Sequence, residues 1–130
     1  MRVRSSLVAL VALTLVSAAT LLAHHSVAGQ FDTSKPMQLK GTISKVDWMN
    51  PHSYIYLDVK EADGTTATWA LSTLPTAMMR RAGLTKEALI GKPGEVVTCD
   101  ALPARDGTKH LGYISKITYS DGHFVQLAGQ

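Results

Sequence analysis

Between residues 37 and 127 hydrophobic positions recur at every second residue over much of the chain, the period of strands with one face on a core. Met37, Leu39, Gly41 and Ile43 hold one phase, and Val46 and Trp48 hold the opposite one. An extra residue near Ser44-Lys45 accounts for the slip, so the first strand carries a β-bulge and bends. Asn50-Pro51 ends it, because proline has no N–H to give to a ladder. Ile55, Leu57 and Val59 line one face of a second strand and Tyr54, Tyr56 and Asp58 the other. Asp63-Gly64 then signals a hairpin leading to Ala67, Trp69 and Leu71.

After this meander the period changes. Pro75 suits a first helical position, Thr76 to Ala82 reads as a short helix with Met78 and Ala82 on one side, and Gly83 suits its left-handed stop. Thr85 caps a further turn through Leu89 before Gly91 and Pro93 restart extended chain. Helices this short do not persist alone, so both must dock on the sheet. Glu95 to Leu102 and Tyr113 to Tyr119 supply two more strands across Asp106-Gly107, and Asp121-Gly122 turns the chain into Phe124 to Leu127. The order predicts an all-β fold with a short helix: an OB-fold-like, five-stranded, partly open barrel with the helix between strands three and four. A flat α+β sheet with the helix on one face is the alternative. The bulge favours the barrel, since closing a short sheet requires bending.

With 130 residues, 45% of them hydrophobic, the chain suffices for one domain and is too apolar for a disordered one. Its beginning is of another kind. Arg2 and Arg4 precede an uncharged stretch from Leu7 to Ala23 that ends in small residues, the pattern of a secretory signal. A membrane anchor is the competing reading, because 17 residues lie at the lower edge of a bilayer-spanning length. Ser17, Ala18, Ala19 and Ala23 favour cleavage, no basic stop-transfer cluster follows, and no Cys stands near the junction to carry a lipid. The expected organisation is a signal peptide over 1–23, an arm without periodicity over 24–36 and a barrel over 37–130. The mature protein is then periplasmic or secreted, with no stable membrane span. Losing Arg2 and Arg4 reduces thirteen Lys and Arg to eleven against ten Asp and Glu, so the net charge falls from +3 to +1. No basic stripe remains to argue for nucleic acid.

Ala23-His24-His25-Ser26 at the junction, Leu39-Lys40-Gly41-Thr42, Trp48-Met49-Asn50-Pro51-His52, Trp69-Ala70-Leu71 and Arg80-Arg81 together resemble a family of small exported bacterial proteins catalogued as a domain of unknown function. The resemblance runs from about His24 to near the C-terminus, and its AHHS and NPH motifs are the most specific part. It implies export and a small β-barrel, and supplies no established activity. The family pattern carries an acidic residue directly after the W-x-L of strand three, where this chain has Ser72.

Five histidines follow the predicted cut: His24, His25, His52, His110 and His123. Cleavage after Ala23 turns His24 into a terminal residue whose α-amine, with a pKa of about 7.7 to 8.0, joins its imidazole in chelating one ion. Such nitrogen-rich chelation suits Cu(II) best among divalent first-row metals. The expected metal ligands are His24 with His25 or His52, and Asn50-Pro51 fixes the loop that presents His52. The plainer reading makes the arm histidines part of an export junction and bonds the His52 ring to backbone at a turn. His110 and His123 adjoin turns and read as surface residues. Trp48, Asn50, Tyr54 and Tyr56 mark a possible ligand face of the kind OB-folds use, although aromatic residues on strands also serve as core or cross-strand pairs. Met78-Met79 are soft enough for Cu(I), but neighbours on a helix point apart and read as packing. Cys99 reads as a buried hydrophobe. No nucleophile–base spacing, phosphate loop or zinc signature is present. The expectation is a non-enzymatic exported binding protein with copper as first candidate ligand. The alternative is a metal-free envelope module that binds a protein or glycan on the barrel face.

Overall fold

The computed structural model describes residues 26–128, with six strands and three short helices. The strands are β1 (Met37–Asp47), β2 (Tyr54–Lys60), β3 (Thr66–Ser72), β4 (Val96–Pro103), β5 (Leu111–Thr118) and β6 (Phe124–Gln126). The helices are α1 (Ser26–Gln30), α2 (Thr76–Arg81) and α3 (Lys86–Ile90). Neighbours pair antiparallel in the order β3-β2-β1-β4-β5-β6, and β3 closes on β5 in parallel through Ala70–Leu111, Leu71–Gly112 and Ser72–Tyr113. Five strands therefore form a closed barrel, with α2 and α3 between β3 and β4 as the OB-fold order requires. The flat-sheet alternative falls. Closure rests on three residue pairs, so the barrel is shut at its narrowest seam only, while β6 extends the free side of β5.

The bulge sits where the phase slip put it. Ile43 faces Leu57 and Lys45 faces Tyr56, which leaves Ser44 without a partner and returns Val46 to the interior beside Ile43. The core collects Ile43, Val46, Ile55, Leu57, Leu71, Met79, Leu89, Val97, Cys99, Ile114, Ile117 and Leu127. Cys99 is fully buried among them, as a small hydrophobe should be.

All three Asp-Gly pairs make turns, each glycine at positive φ and each aspartate Oδ1 accepting the backbone N–H two residues on: Thr65, Thr108 and His123. Thr85 Oγ1 accepts from Ala88 N–H and starts α3 as expected. Tyr119 Oη donates to the Leu89 carbonyl at 2.7 Å and ties the end of that helix to β5. Two expectations shift. Pro75 stands one residue outside α2 as its cap, where its extended ψ of 153° belongs. The arm is irregular only in part: Ser26–Gln30 forms a helical turn, held by tertiary bonds that no local periodicity announces.

Candidate functional site

The loop from β1 to β2 is fastened on every side. Asn50 Oδ1 accepts from Thr76 N at 3.2 Å and from Thr76 Oγ1 at 2.8 Å, so Asn50 caps α2 across 26 residues while Pro75 offers no side chain. The Asn50–Pro51 bond is cis. Ser53 is fully buried; its N–H donates to the Leu74 carbonyl, its carbonyl accepts from Thr73 N–H, and its hydroxyl donates to the Met49 carbonyl at 3.3 Å. His52 Nδ1 lies 3.0 Å from the Thr73 carbonyl oxygen. A carbonyl only accepts, so Nδ1 carries a proton, and in the neutral ring the lone pair is then on Nε2. The backbone-bonded reading of His52 thus holds, and the same bond is the one that orients metal-binding imidazoles through their far nitrogen.

The arm reaches the same side of the barrel. Arg105 donates from N to the Gln30 carbonyl at 2.8 Å, from Nε to Ala28 at 3.0 Å and from Nη2 to Phe31 at 3.3 Å. Phe31 bridges to Ala104, is buried, and tilts against Tyr113 with ring centroids 5.5 Å apart. Between arm and barrel lies an open cavity of about 470 Å³ lined by Gly29, Gln30, Phe31, Tyr54, Ala104, Arg105, Asp106 and Leu111. Tyr54 is two residues from His52, so the arm and the NPH loop border neighbouring ground. His24 and His25 lie outside the described residues. Among the described residues no three His, Cys, Asp or Glu side chains come together around a metal-sized space.

These residues fall within a known sequence family. Residues 11–114 match DUF6152, a family of unknown function. The chain belongs to it. The DUF6152 match begins inside the N-terminal apolar stretch and takes in the arm, the NPH loop, all cavity-lining residues and the first half of β5. No curated protein and no solved structure matches the chain.

On the outer face of this DUF6152 barrel Tyr54 and Tyr56 stand side by side, ring centroids 6.4 Å apart. Their β3 neighbours are Ser72 and Ala70, too small to cover the rings. On the other flank Lys45 Nζ lies 5.1 Å from the Tyr56 ring centroid and 2.9 Å from Asp47, a cation–π and ion-pair arrangement. The hydrogen bond from Lys45 lowers the Asp47 pKa and raises that of Lys45, while burial raises Tyr56. Ser72, where the family resemblance implies an acid, is buried between Tyr54 on β2 and Tyr113 on β5. Trp48 is half-buried and packs against the core, because the bulge restores the inward phase just before it. Asn50 spends its side-chain oxygen on α2. His110 and His123 are exposed, His110 beside Trp69 and Glu61, His123 stacked on Tyr119 at 4.3 Å.

Sequence reading missed Arg105 and Phe31 as the parts that hold the arm. Arg105 stands just before an Asp-Gly turn. Its partners are 77 and 74 residues away, and no spacing rule reaches that far.

Proposed function

We propose that this protein is a small exported binding domain whose ligand is a transition-metal ion, copper first, held between the amino-terminal arm and the NPH loop. In this reading His24 supplies amine and imidazole, and His52 Nε2, or His25, supplies the next nitrogen. The observation that carries it is the commitment of His52 Nδ1 to the Thr73 carbonyl within a loop that Asn50 and Ser53 make rigid. The pinning of the arm by Arg105 supports it further, since it brings the chain to the Tyr54 side only a few residues after His24. Titrating Cu(II) into protein with a verified His24 amino terminus is expected to give one tight site. His52→Ala should weaken it at least tenfold with the far-ultraviolet spectrum unchanged, in line with the roughly 10–100-fold losses typical when a metal site's supporting groups go. Unchanged affinity in both His24→Ala and His52→Ala overturns the reading.

A metal-free reading is favoured by one observation of its own, the half-exposed Tyr54 ring that lines the 470 Å³ cavity beside Tyr56. Here an envelope protein or glycan stacks on the rings. Binding on this account survives chelator and drops on Tyr54→Ala, by roughly tenfold for a ring contributing 1–2 kcal/mol. A pull-down partner that chelator releases, or that Tyr54→Ala retains, excludes it.

A further inference from the structure

The cavity between arm and barrel takes its walls from distant parts of the chain: Gln30 and Phe31 on the arm, Tyr54 on β2, Arg105 and Asp106 after β4, and Leu111 on β5. It exists only with the arm docked, and Arg105 and the packing of Phe31 on Tyr113 hold the arm there. Its lining is mixed. Tyr54, Phe31 and Leu111 give apolar surface, while Gln30, Arg105, Asp106 and the Tyr54 hydroxyl give donors and acceptors. Much of that polar capacity is not needed by the fold. The turn at Asp106 uses Oδ1 alone, which accepts from Thr108 N at 2.9 Å and from Thr108 Oγ1 at 2.7 Å, and this leaves Oδ2. Arg105 commits Nε and Nη2 to the Ala28 and Phe31 carbonyls, and this leaves Nη1. Gln30 serves the arm through its backbone carbonyl, which accepts from Arg105 N, and its amide is spare for that purpose.

Two kinds of ligand meet an obstacle here. A peptide that adds as a strand needs unpaired backbone at the rim. There Arg105 N–H donates to Gln30, Ala104 N–H to Leu111 and Asp32 N–H to Pro103. A ligand of net charge meets both signs, because Arg105 and Asp106 line the space together. A neutral polyhydroxyl compound meets neither obstacle. Its C–H face lies on an aromatic ring, and its hydroxyls are both donor and acceptor, as the planar amide, guanidinium and carboxylate around it require. We infer that this cavity binds a neutral carbohydrate, with Tyr54 as the stacking ring and Gln30, Arg105 and Asp106 taking the hydroxyls. At about 470 Å³ it has room for a mono- or disaccharide. The inference rests on the metal-free reading above and, within it, decides for a glycan over a protein.

The test titrates the mature protein, in chelator, with glucose, N-acetylglucosamine, maltose, cellobiose and chitobiose, followed by saturation-transfer NMR and calorimetry. At least one sugar is expected to saturate in the millimolar range or tighter. Tyr54→Ala should weaken it about tenfold. Gln30→Ala, which keeps the backbone carbonyl, and Asp106→Asn, which keeps the Oδ1 acceptor of the turn, should each weaken it about threefold to tenfold at an unchanged melting temperature. Glucose 6-phosphate and glucosamine should bind no tighter than glucose, and His24→Ala should bind as wild type. Saturation by none of the five sugars overturns the inference, as does wild-type affinity in both Tyr54→Ala and Gln30→Ala, or a charged sugar that binds more than tenfold tighter than glucose. A protein partner captured in chelator and lost on Tyr54→Ala, with every sugar silent, overturns the carbohydrate and leaves the metal-free reading standing. Sugar binding that chelator abolishes overturns both.

Discussion

Gly41→Ala is expected to lower the melting temperature by roughly 12–20 °C, corresponding to a loss of about 3 kcal/mol in a domain of this size. A β-carbon built at Gly41 falls 2.2 Å from the carbonyl oxygen of Asp58 and 2.9 Å from its carbon. Both atoms belong to the backbone of β2, so no side-chain rotation relieves the contact. Gly41 pairs with Val59 on β2 and Val97 on β4 at once, so neither neighbouring strand can withdraw without opening the other ladder. A strand glycine at such a position marks a close approach of two backbones. Gly29→Ala is the control: nothing lies within 4 Å of its added carbon, and a change of no more than ~0.5 kcal/mol is expected. Thermal melts followed by circular dichroism decide it. If Gly41→Ala melts within two or three degrees of wild type, the spacing of β1 and β2 is adjustable and this account of the Leu39-Lys40-Gly41-Thr42 run is wrong.

Features with a local cause were legible in the sequence. The slip between Ile43 and Val46 named the bulge because alternation has a period of two and one inserted residue inverts it. The Asp-Gly turns were readable because the aspartate and the glycine each answer a local need. Features with a distant cause were not. The helical turn of the arm is too short to show a period and is held by Arg105. The cap of α2 comes from Asn50, so inspection of Pro75 and its neighbours could not find it. Trp48 keeps the phase of Val46 beyond the bulge, which accounts for its half-buried packing against the core.

Three successive demands of the fold meet in the NPH loop: Asn50 caps a helix, Ser53 fills a buried bonding position, and His52 gives Nδ1 to the Thr73 carbonyl. The first two roles alone account for such a loop in a metal-free domain. The proposed metal site asks one thing more of residue 52, a second ring nitrogen that the backbone bond leaves unused. For that reason the copper titrations compare His52 variants at constant fold.

Raising the pH is expected to unfold the barrel between about pH 10 and 12, well before its backbone chemistry suffers. Burial pushes the Cys99 thiol from its ordinary 9.0 up to about 12, and burial likewise pushes the Tyr119 phenol from 10.0 up to about 12. In the unfolded chain each group releases its proton first, so above pH 9 the unfolded state binds fewer protons than the native one, and linkage makes stability fall as pH rises. The contribution is complete below pH 9 and is lost as the pH climbs toward 12. At about 1.4 kcal/mol for each unit, Cys99 accounts for about 4 kcal/mol and Tyr119 for at most about 3 kcal/mol, against the 5–15 kcal/mol that hold a typical domain together. The upward shifts at buried Tyr113 and at Lys45 beside Asp47 act in the same direction. Urea unfolding at a series of pH values measures the slope directly. Cys99→Ala should be less stable at pH 7 through its cavity yet lose less on going from pH 9 to 11.5, because its unfolded chain has no thiol to ionise. Tyr119→Phe should also flatten the curve, from a starting point about 1–2 kcal/mol lower once the Leu89 and Ala88 carbonyls lose their donor. A wild-type stability that stays level from pH 9 to 11.5, or a Cys99→Ala slope equal to the wild-type slope, would place the thiol in contact with water and contradict the packing of β4 against the core.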